Sequence, residues 1–292
     1  MASMRDIKRR KSSIQSTQQI TKAMKLVSTV KLQRAKGNAE RSRNYFSCMY
    51  ETVGSMLAKA GTINHPYLRA GASERKAVIV ITSNRGLAGG YNSNIIKLIT
   101  RGELKKEELD IYAIGKKGKD TLHRYGYTIK EDYSDVIEEP AYADAMRISA
   151  QVLKAFTDGE IGEIYLAYTA FKNTVSHEPK LIRLLPVEAA PEEQAENGRE
   201  GKGADNRAPM NFEPQEEEAL DMIIPKYVTS LIYGGMIESV ASENGARMQA
   251  MDSATSNAEE MIGSLELQYN RARQGSITQE LTEIIAGAEA IS

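Results

Sequence analysis

The chain predicts a mixed protein, part α+β and part α/β: a long antiparallel coiled coil of its N- and C-terminal helices, joined to a central Rossmann-like α/β domain. Three observations predict this. Near the C-terminus, apolar or small residues recur at alternating steps of four and three, at Thr255, Ala258, Ile262, Leu265, Tyr269 and Ala272, which is the pattern of a coiled-coil seam. Near the N-terminus, residues 4–59 hold no proline and carry a second, more polar seam. Between the two, short β-branched runs alternate with helical stretches, the pattern of an α/β unit with a largely parallel sheet.

The N-terminal helix is predicted over residues 1–59. Its seam reads Ile7, Lys11, Ile14, Gln18, Thr21, Met24, Ser28, Lys31 and Ala35. The central domain is predicted over 75–187. Ala77 to Thr82 reads as a buried strand, Asn92 to Lys106 as a helix, Asp110 to Ile114 as a strand and Lys116 to Arg124 as a helix. Tyr127 to Lys130 is a third strand, and Tyr142 to Phe156 is a helix with Ala145, Ile148, Val152 and Phe156 on one face. Glu163 to Phe171 and Leu181 to Val187 are strands able to form a hairpin across Asn173–Pro179. Residues 188–213 hold Pro191, Pro209 and acidic pairs such as Glu192-Glu193, and read as an acidic linker. The C-terminal helix is predicted over 214–292, starting at Pro214 or at Pro225. A start at Pro214 places Pro225 in the interior, where proline bends a helix. A helix of about 65 residues spans about 100 Å.

Charge tells the terminal helices apart. Residues 1–59 carry 13 Lys and Arg against 3 Asp and Glu, whereas residues 222–292 carry 4 against 9. Opposite flanking charge suits pairing of the two helices within one chain. The whole chain has a net charge of −1, so no global bias toward polyanions exists. The single Cys48 excludes an internal disulfide and a cysteine zinc site, and His65, His123 and His177 show no metal-ligand spacing. No apolar run reaches the length of a membrane span, and no secretory signal is present.

The strand-to-helix turn Ser83-Asn84-Arg85-Gly86-Leu87-Ala88-Gly89-Gly90-Tyr91-Asn92 is glycine-rich. It lacks both G-x-G-x-x-G and a following G-K-[ST], so its glycines read as turn residues rather than a phosphate cradle. Gly115 to Lys119 reads as a solvated helix start. Nothing in the chain carries a nucleophile or metal signature, so catalytic, cofactor and metal residues are all expected to be absent. Lys8-Arg9-Arg10-Lys11 keeps a nucleic-acid reading open, although residues 1–44 offer no aromatic for base stacking.

Three separated stretches resemble the gamma subunit of F-type ATP synthases, of the bacterial kind. They are Thr17 to Val27 with Lys31 and Ala35; Ile81 to Asn92; and Glu243, Arg247, Met248, Ala250 and Met251 through Asn270-Arg271-Ala272-Arg273-Gln274 to Ile277-Thr278-Gln279-Glu280 and Gly287-Ala288. Where family members often carry Asp and Cys, this chain has Asn84 and Ala88, and the cysteine pair of redox-regulated relatives is absent. The resemblance implies a rotor shaft with no catalytic site and no cofactor. Its coiled coil would enter a hexamer of three alpha and three beta subunits, and its foot would contact the epsilon subunit and the c-ring. Proton or sodium flow would turn it, on the cytoplasmic face of the bacterial cell membrane and without membrane insertion. The resemblance also implies that Arg247, Gln274, Thr278 and Glu280 meet a beta-subunit loop, that Met24 faces the same region, and that Glu213 lies near the ring. The rival readings are a coiled-coil nucleic-acid-binding adaptor and an α/β enzyme with helical arms.

Overall fold

The computed structural model describes residues 4–59, 65–187 and 216–289. The acidic linker 188–213, with Glu213, and Pro214 lie outside the described residues. The elements run α1 (Met4–Lys59), β1 (Lys76–Ile81), α2 (Tyr91–Thr100), β2 (Leu109–Ile114), α3 (Lys116–Arg124), β3 (Thr128–Asp132), α4 (Tyr142–Thr157), β4 (Glu163–Phe171), β5 (His177–Leu185) and α5 (Glu216–Glu289). Short 3-10 turns at Pro66–Leu68 and Lys106–Glu108 precede β1 and β2. The chain groups into two compact units, one of residues 31–246 and one of residues 1–30 with 247–292, so α1 and α5 each contribute to both.

The larger unit is built on a five-stranded sheet of order β3-β2-β1-β4-β5. The pairs β1–β2, β1–β4 and β2–β3 are parallel, while β4–β5 is an antiparallel hairpin. Every residue from Ala77 to Ile81 is at most 1% exposed, as a central strand covered on both faces requires. Alternation along the strands sorts their side chains between two cores. Ile79, Ile81, Tyr112, Ile114 and Leu166 join α4 (Ile148, Val152, Phe156) and α5 (Leu220, Ile224, Val228, Ile232, Met236) on one face. Val78, Val80, Ile111 and Ala113 join α2 (Ile95, Ile96, Ile99) and Leu122 of α3 on the other. The i, i+4 spacing of the α5 residues is what lays that helix along the sheet, and each fully buried aliphatic side chain contributes roughly 1.5–3 kcal/mol.

Local features depart from the pattern read in the sequence. Strand β5 begins at His177, four residues before Leu181, and ends at Leu185 rather than Val187. Helix α2 stops at Thr100, short of Lys106, at the Arg101-Gly102 turn. Strand β3 runs two residues past Lys130, to Asp132. Pro225 lies inside α5, which is already helical at Glu216, so it does not start the helix. Its carbonyl accepts the Thr229 hydroxyl at 2.8 Å.

Helix α5 also completes the sheet. Strand β1 pairs with β4 only as far as Ala167, which leaves the outer backbone of Thr169 and Phe171 without a strand. Side chains of α5 take that place. The Thr169 N–H donates to Ser239 Oγ at 3.3 Å, Ser242 Oγ donates to the Thr169 carbonyl at 3.2 Å, and the Phe171 N–H donates to Glu238 Oε2 at 3.3 Å. Buried backbone groups require such partners. This explains why a core helix carries two serines with no exposed surface.

Candidate functional site: the paired terminal helices

The smaller unit contains α1 from Met4 to Val30 and α5 from Arg247 onward. Polar side chains tie the two helices together. Lys25 Nζ meets Asp252 Oδ1 at 2.5 Å, Gln18 Nε2 donates to Glu259 Oε1 at 3.0 Å, and Lys11 pairs with Glu266. Successive rungs advance by seven residues on each helix and in opposite directions, so the pair is antiparallel and in heptad register. The hydroxyls of Thr21 and Thr255 sit 2.7 Å apart between the rungs. In all four pairs the two residue numbers sum to 276 or 277.

The buried seam keeps the same period, with Ile7, Thr21 and Ser28 on α1 and Met251, Ala258 and Leu265 on α5. Ile14, at the remaining heptad position of α1, is half-buried. The basic N-terminal helix thus meets the acidic C-terminal one through specific charge pairs. Exposed pairs of this kind contribute about 0.2–1 kcal/mol each, and the seam offers few large apolar side chains. The association is modest in strength and specific in register.

This register locates the residues expected to meet partners. Met24 is half-buried and Arg247 is buried to 9% exposure. Met24 lies opposite residues 252–253, so Arg247 sits about 9 Å farther along the axis at about 1.5 Å per residue. Gln274, Thr278 and Glu280 are exposed. They lie roughly 30–40 Å away in the opposite direction, beyond the level of Met4 where the described part of α1 begins. The five residues therefore form two groups rather than one cluster. Of the distal group, Thr278 has its backbone carbonyl engaged by the Thr282 hydroxyl at 2.9 Å.

Sequence reasoning did not single out the apolar surface of the distal segment. Ile277, Leu281, Ile284 and Ile285 follow i, i+4, i+7, i+8 spacing and are 49–68% exposed, so α5 presents an apolar face beyond the described part of α1. On α1, Ile20 and Val27 are exposed on the side away from the seam. The signal was present in the periodicity, but a face of this kind reads as a core stripe until the register of the two helices is known.

The glycine-rich turn after β1 is held by its own side chains. Asn84 Nδ2 donates to the Ser134 carbonyl at 2.7 Å, and Asn84 Oδ1 accepts the Lys116 N–H at 3.0 Å. Asn92 Oδ1 accepts the Ser83 N–H at 2.9 Å. The clamp holds Leu87 at φ 63°, a conformation that non-glycine residues seldom adopt. Gly115 (φ 110°) is required, because a Cβ there would stand 2.1 Å from the Thr82 carbonyl oxygen. The turn joins the ends of β1, β2 and β3.

Beside it lies an open depression of about 650 Å³ whose lining includes Asn84, Lys116, Asp132, Asp135 and Arg147. Two of its carboxylates are paired: Lys119 meets Asp132 at 2.6 Å, and Arg147 lies 3.7 Å from Asp135. Burial pushes the Asp132 carboxyl up, but hydrogen bonds from Lys119 and Ser134 outweigh it and hold the group below its ordinary range. Burial drives the Tyr133 phenol to about 12. Among the described residues, no group of three His, Cys, Asp or Glu is placed to hold a metal ion. No helix there is long and apolar enough to cross a membrane.

Comparison with known proteins agrees with this geometry. The ATP synthase family model matches residues 3–291. The ATP synthase gamma chain of Lachnoclostridium phytofermentans is 64% identical over 293 residues, covering all of both chains. The sodium-ion-specific ATP synthase gamma chain of Acetobacterium woodii is 41% identical over 300 residues, covering 99% of each. Among solved structures, a chain of the central stalk and c-ring of Tetrahymena thermophila mitochondrial ATP synthase aligns with TM-score 0.56 at 26% identity, covering 80% of this chain and 99% of that one. A chain from the Euglena gracilis mitochondrial enzyme shares the fold, with TM-score 0.67 at 18% identity over 99% of this chain and 94% of that one. The chain belongs to the ATP synthase gamma chain family.

Proposed function

We propose that this chain is the central rotor shaft of an F-type ATP synthase, coupling ion-driven rotation of a c-ring to conformational cycling of three catalytic sites on an alpha-beta hexamer. It works mechanically and has no catalytic site of its own. In reverse, ATP hydrolysis turns the shaft and pumps ions. One observation carries the reading: helices from the two ends of the chain pair antiparallel through heptad rungs, in a sequence that matches gamma chains along its whole length.

The partners are three alpha and three beta subunits around one copy of this chain, with an epsilon subunit and the c-ring at the foot. Met24 and Arg247 form one contact with the hexamer, and Gln274, Thr278 and Glu280 form a second. Glu213 serves the ring side. The complex is membrane-associated, and this chain is a peripheral member on the cytoplasmic face. The nucleic-acid reading loses support because Lys11 and Lys25 are engaged by carboxylates of α5.

The test is to mix the chain with alpha and beta subunits from the same source and to measure assembly and ATP hydrolysis together. A complex of three alpha, three beta and one copy of this chain, with turnover far above that of alpha and beta alone, is the expected result. A chain that neither joins the hexamer nor changes turnover overturns the proposal.

A further inference from the structure

We propose that the tip of the β4–β5 hairpin is an acid-released latch on α5, its catch being the His177 ring seated in a notch that Gly245 leaves in the helix. The fit is close. A Cβ on residue 245 would stand 2.7 Å from His177 Cε1 and 3.1 Å from Nε2, nearer than packed carbon atoms approach. Glycine inside a helix costs about 1 kcal/mol relative to alanine, so α5 gives up helix stability at the place where the ring enters. Across the hairpin His177 is paired with Phe171, and the two ring centroids lie 5.9 Å apart. Asn173 shapes the turn between them, its Oδ1 accepting the N–H groups of Val175 at 2.9 Å and Ser176 at 2.7 Å.

The notch suits a neutral ring. His177 is half-buried as a residue, but both ring nitrogens are buried and neither has a hydrogen-bond partner among the described residues. Burial lowers the imidazole below its ordinary value of 6.5, and only the Thr174 carbonyl, outside hydrogen-bonding geometry, works the other way. The charges on the neighbouring elements are engaged elsewhere or lie off the notch. On the hairpin, Glu178 meets Lys172 at 2.7 Å. On α1, Lys36 lies 5.3 Å from the centroid of the Phe171 ring. On α5, Glu238 accepts the Phe171 N–H at 3.3 Å and is the carboxylate on which Lys180 acts. Glu243 and Arg247 flank Gly245 at i−2 and i+2, positions that do not share its face. An imidazolium in the notch would hold two N–H donors, and among the described residues no carboxylate answers them. A charge buried in this way is costly, so the ring takes up its proton after leaving the notch, and the proton then favours the open hairpin.

The sign follows from linkage. The released ring binds the proton more tightly than the seated one, so the latch is at full strength above 6.5 and weakens as pH falls below that value. Gly245 lies two residues before the point at which α5 passes from the larger unit to the smaller. The functional consequence rests on the shaft reading: the latch holds α5 to the sheet close to where the paired helices begin, and acid loosens that hold.

The test uses the full chain with Glu238→Gln in every arm, because the Glu238 carboxyl titrates with the opposite sign. Amide hydrogen exchange, corrected for its intrinsic pH dependence, reads opening at Thr169 and Phe171, whose N–H groups are bonded to α5. Between about pH 7.5 and about pH 5.5 their protection is expected to fall by up to about tenfold, the ceiling set by one unit below the ordinary imidazole value. With His177→Gln, whose amide stays neutral, protection does not fall. Gly245→Ala evicts the ring and abolishes the response. Nuclear magnetic resonance of the histidine Cε1–H groups, with His177→Gln to assign the signal, shows the ring titrating below 6.5 in the parent and near 6.5 in Gly245→Ala.

Equal loss of protection in His177→Gln and in the parent overturns the proposal, since another group would then be the sensor. So does a parent whose protection is the same at both pH values. A Gly245→Ala chain in which the His177 titration is unmoved overturns it as well, because the notch would not be what holds the ring neutral. Assembly of the parent chain with alpha and beta subunits is scored separately. Failure there counts against the shaft reading and leaves the exchange result standing.

Discussion

Adjacent glycines on α5 make the sharpest test of how this helix meets the sheet. A Cβ on Gly234 would lie 3.6 Å from the Phe46 ring, an ordinary contact. A Cβ on Gly235 would lie 3.0 Å from Leu166 Cδ2, 3.4 Å from Tyr168 Cγ and 3.5 Å from Ile81 Cδ1. Both substitutions to alanine gain about 1 kcal/mol of helix propensity. Gly234→Ala keeps that gain and is expected to stabilise the unit by about 1 kcal/mol. Gly235→Ala must also displace side chains in a packed core, at a cost of about 1–3 kcal/mol. Leu166 and Ile81 are 0% exposed, so any displacement is into the packed core. The net effect is a loss of up to about 2 kcal/mol, which separates the two variants by roughly 1–3 kcal/mol. Urea unfolding followed by far-ultraviolet circular dichroism reads this difference as displaced midpoints at constant slope. A Gly235→Ala chain as stable as Gly234→Ala, or more so, refutes the claim that α5 lies this close to the strands.

Two further outcomes are expected. Met24→Lys places a cation about 9 Å along the axis from Arg247, close to one Debye length, so the perturbation is about 1 kcal/mol or less. Ion pumping per ATP in a reconstituted complex falls while hydrolysis persists, and undiminished pumping sinks the idea. Glu238 lies near Tyr168 and Lys180, and burial raises its carboxyl above the ordinary value of 4.5. The folded state therefore holds this proton more tightly than the unfolded state, and the stability it brings is present below 4.5 and lost as pH rises through the folded value. Glu238→Gln removes this dependence, so its urea midpoint gains on that of the parent as pH is raised above 4.5. A gap between the two that stays constant with pH contradicts the assignment.

How far the sequence could be read depended on whether a pattern closes locally. The run Ala77-Val78-Ile79-Val80-Ile81 announces a strand buried on both faces because no other element tolerates five such residues between charges. The seam at Thr21, Ala258 and Leu265 was legible for the same reason: heptad spacing is a property of one helix alone. Three things were not. The halt of α2 at Thr100 depends on a turn whose residues, Arg101-Gly102, carry weak local signals. The use of Ser239, Ser242 and Glu238 as partners for β4 depends on where β1 ends, which is a property of the sheet. The separation of Met24 and Arg247 from Gln274, Thr278 and Glu280 depends on the register between two helices. Each helix's periodicity is silent about that register, because the pattern matches itself every seven residues.

That self-similarity bears on how such a seam can function. Large apolar knobs at the seam would bind the helices tightly. This chain places Thr, Ser, Ala and Met at buried positions between Ile7 and Leu265, and sets modest charge pairs on the flank. Soft or small side chains keep contacts adaptable, at the cost of a pair that apolar burial alone holds weakly. A shaft that must slip past its sleeve while its two strands stay locked to each other needs different interactions for the two jobs. Non-directional packing serves the first poorly, because it resists rotation as much as separation. Polar contacts across the seam, such as that between the Thr21 and Thr255 hydroxyls, lie between the strands and add no adhesion on the outside. The physical demand on this coiled coil is therefore specificity more than strength, and its departure from an ordinary leucine-rich seam is what that demand predicts.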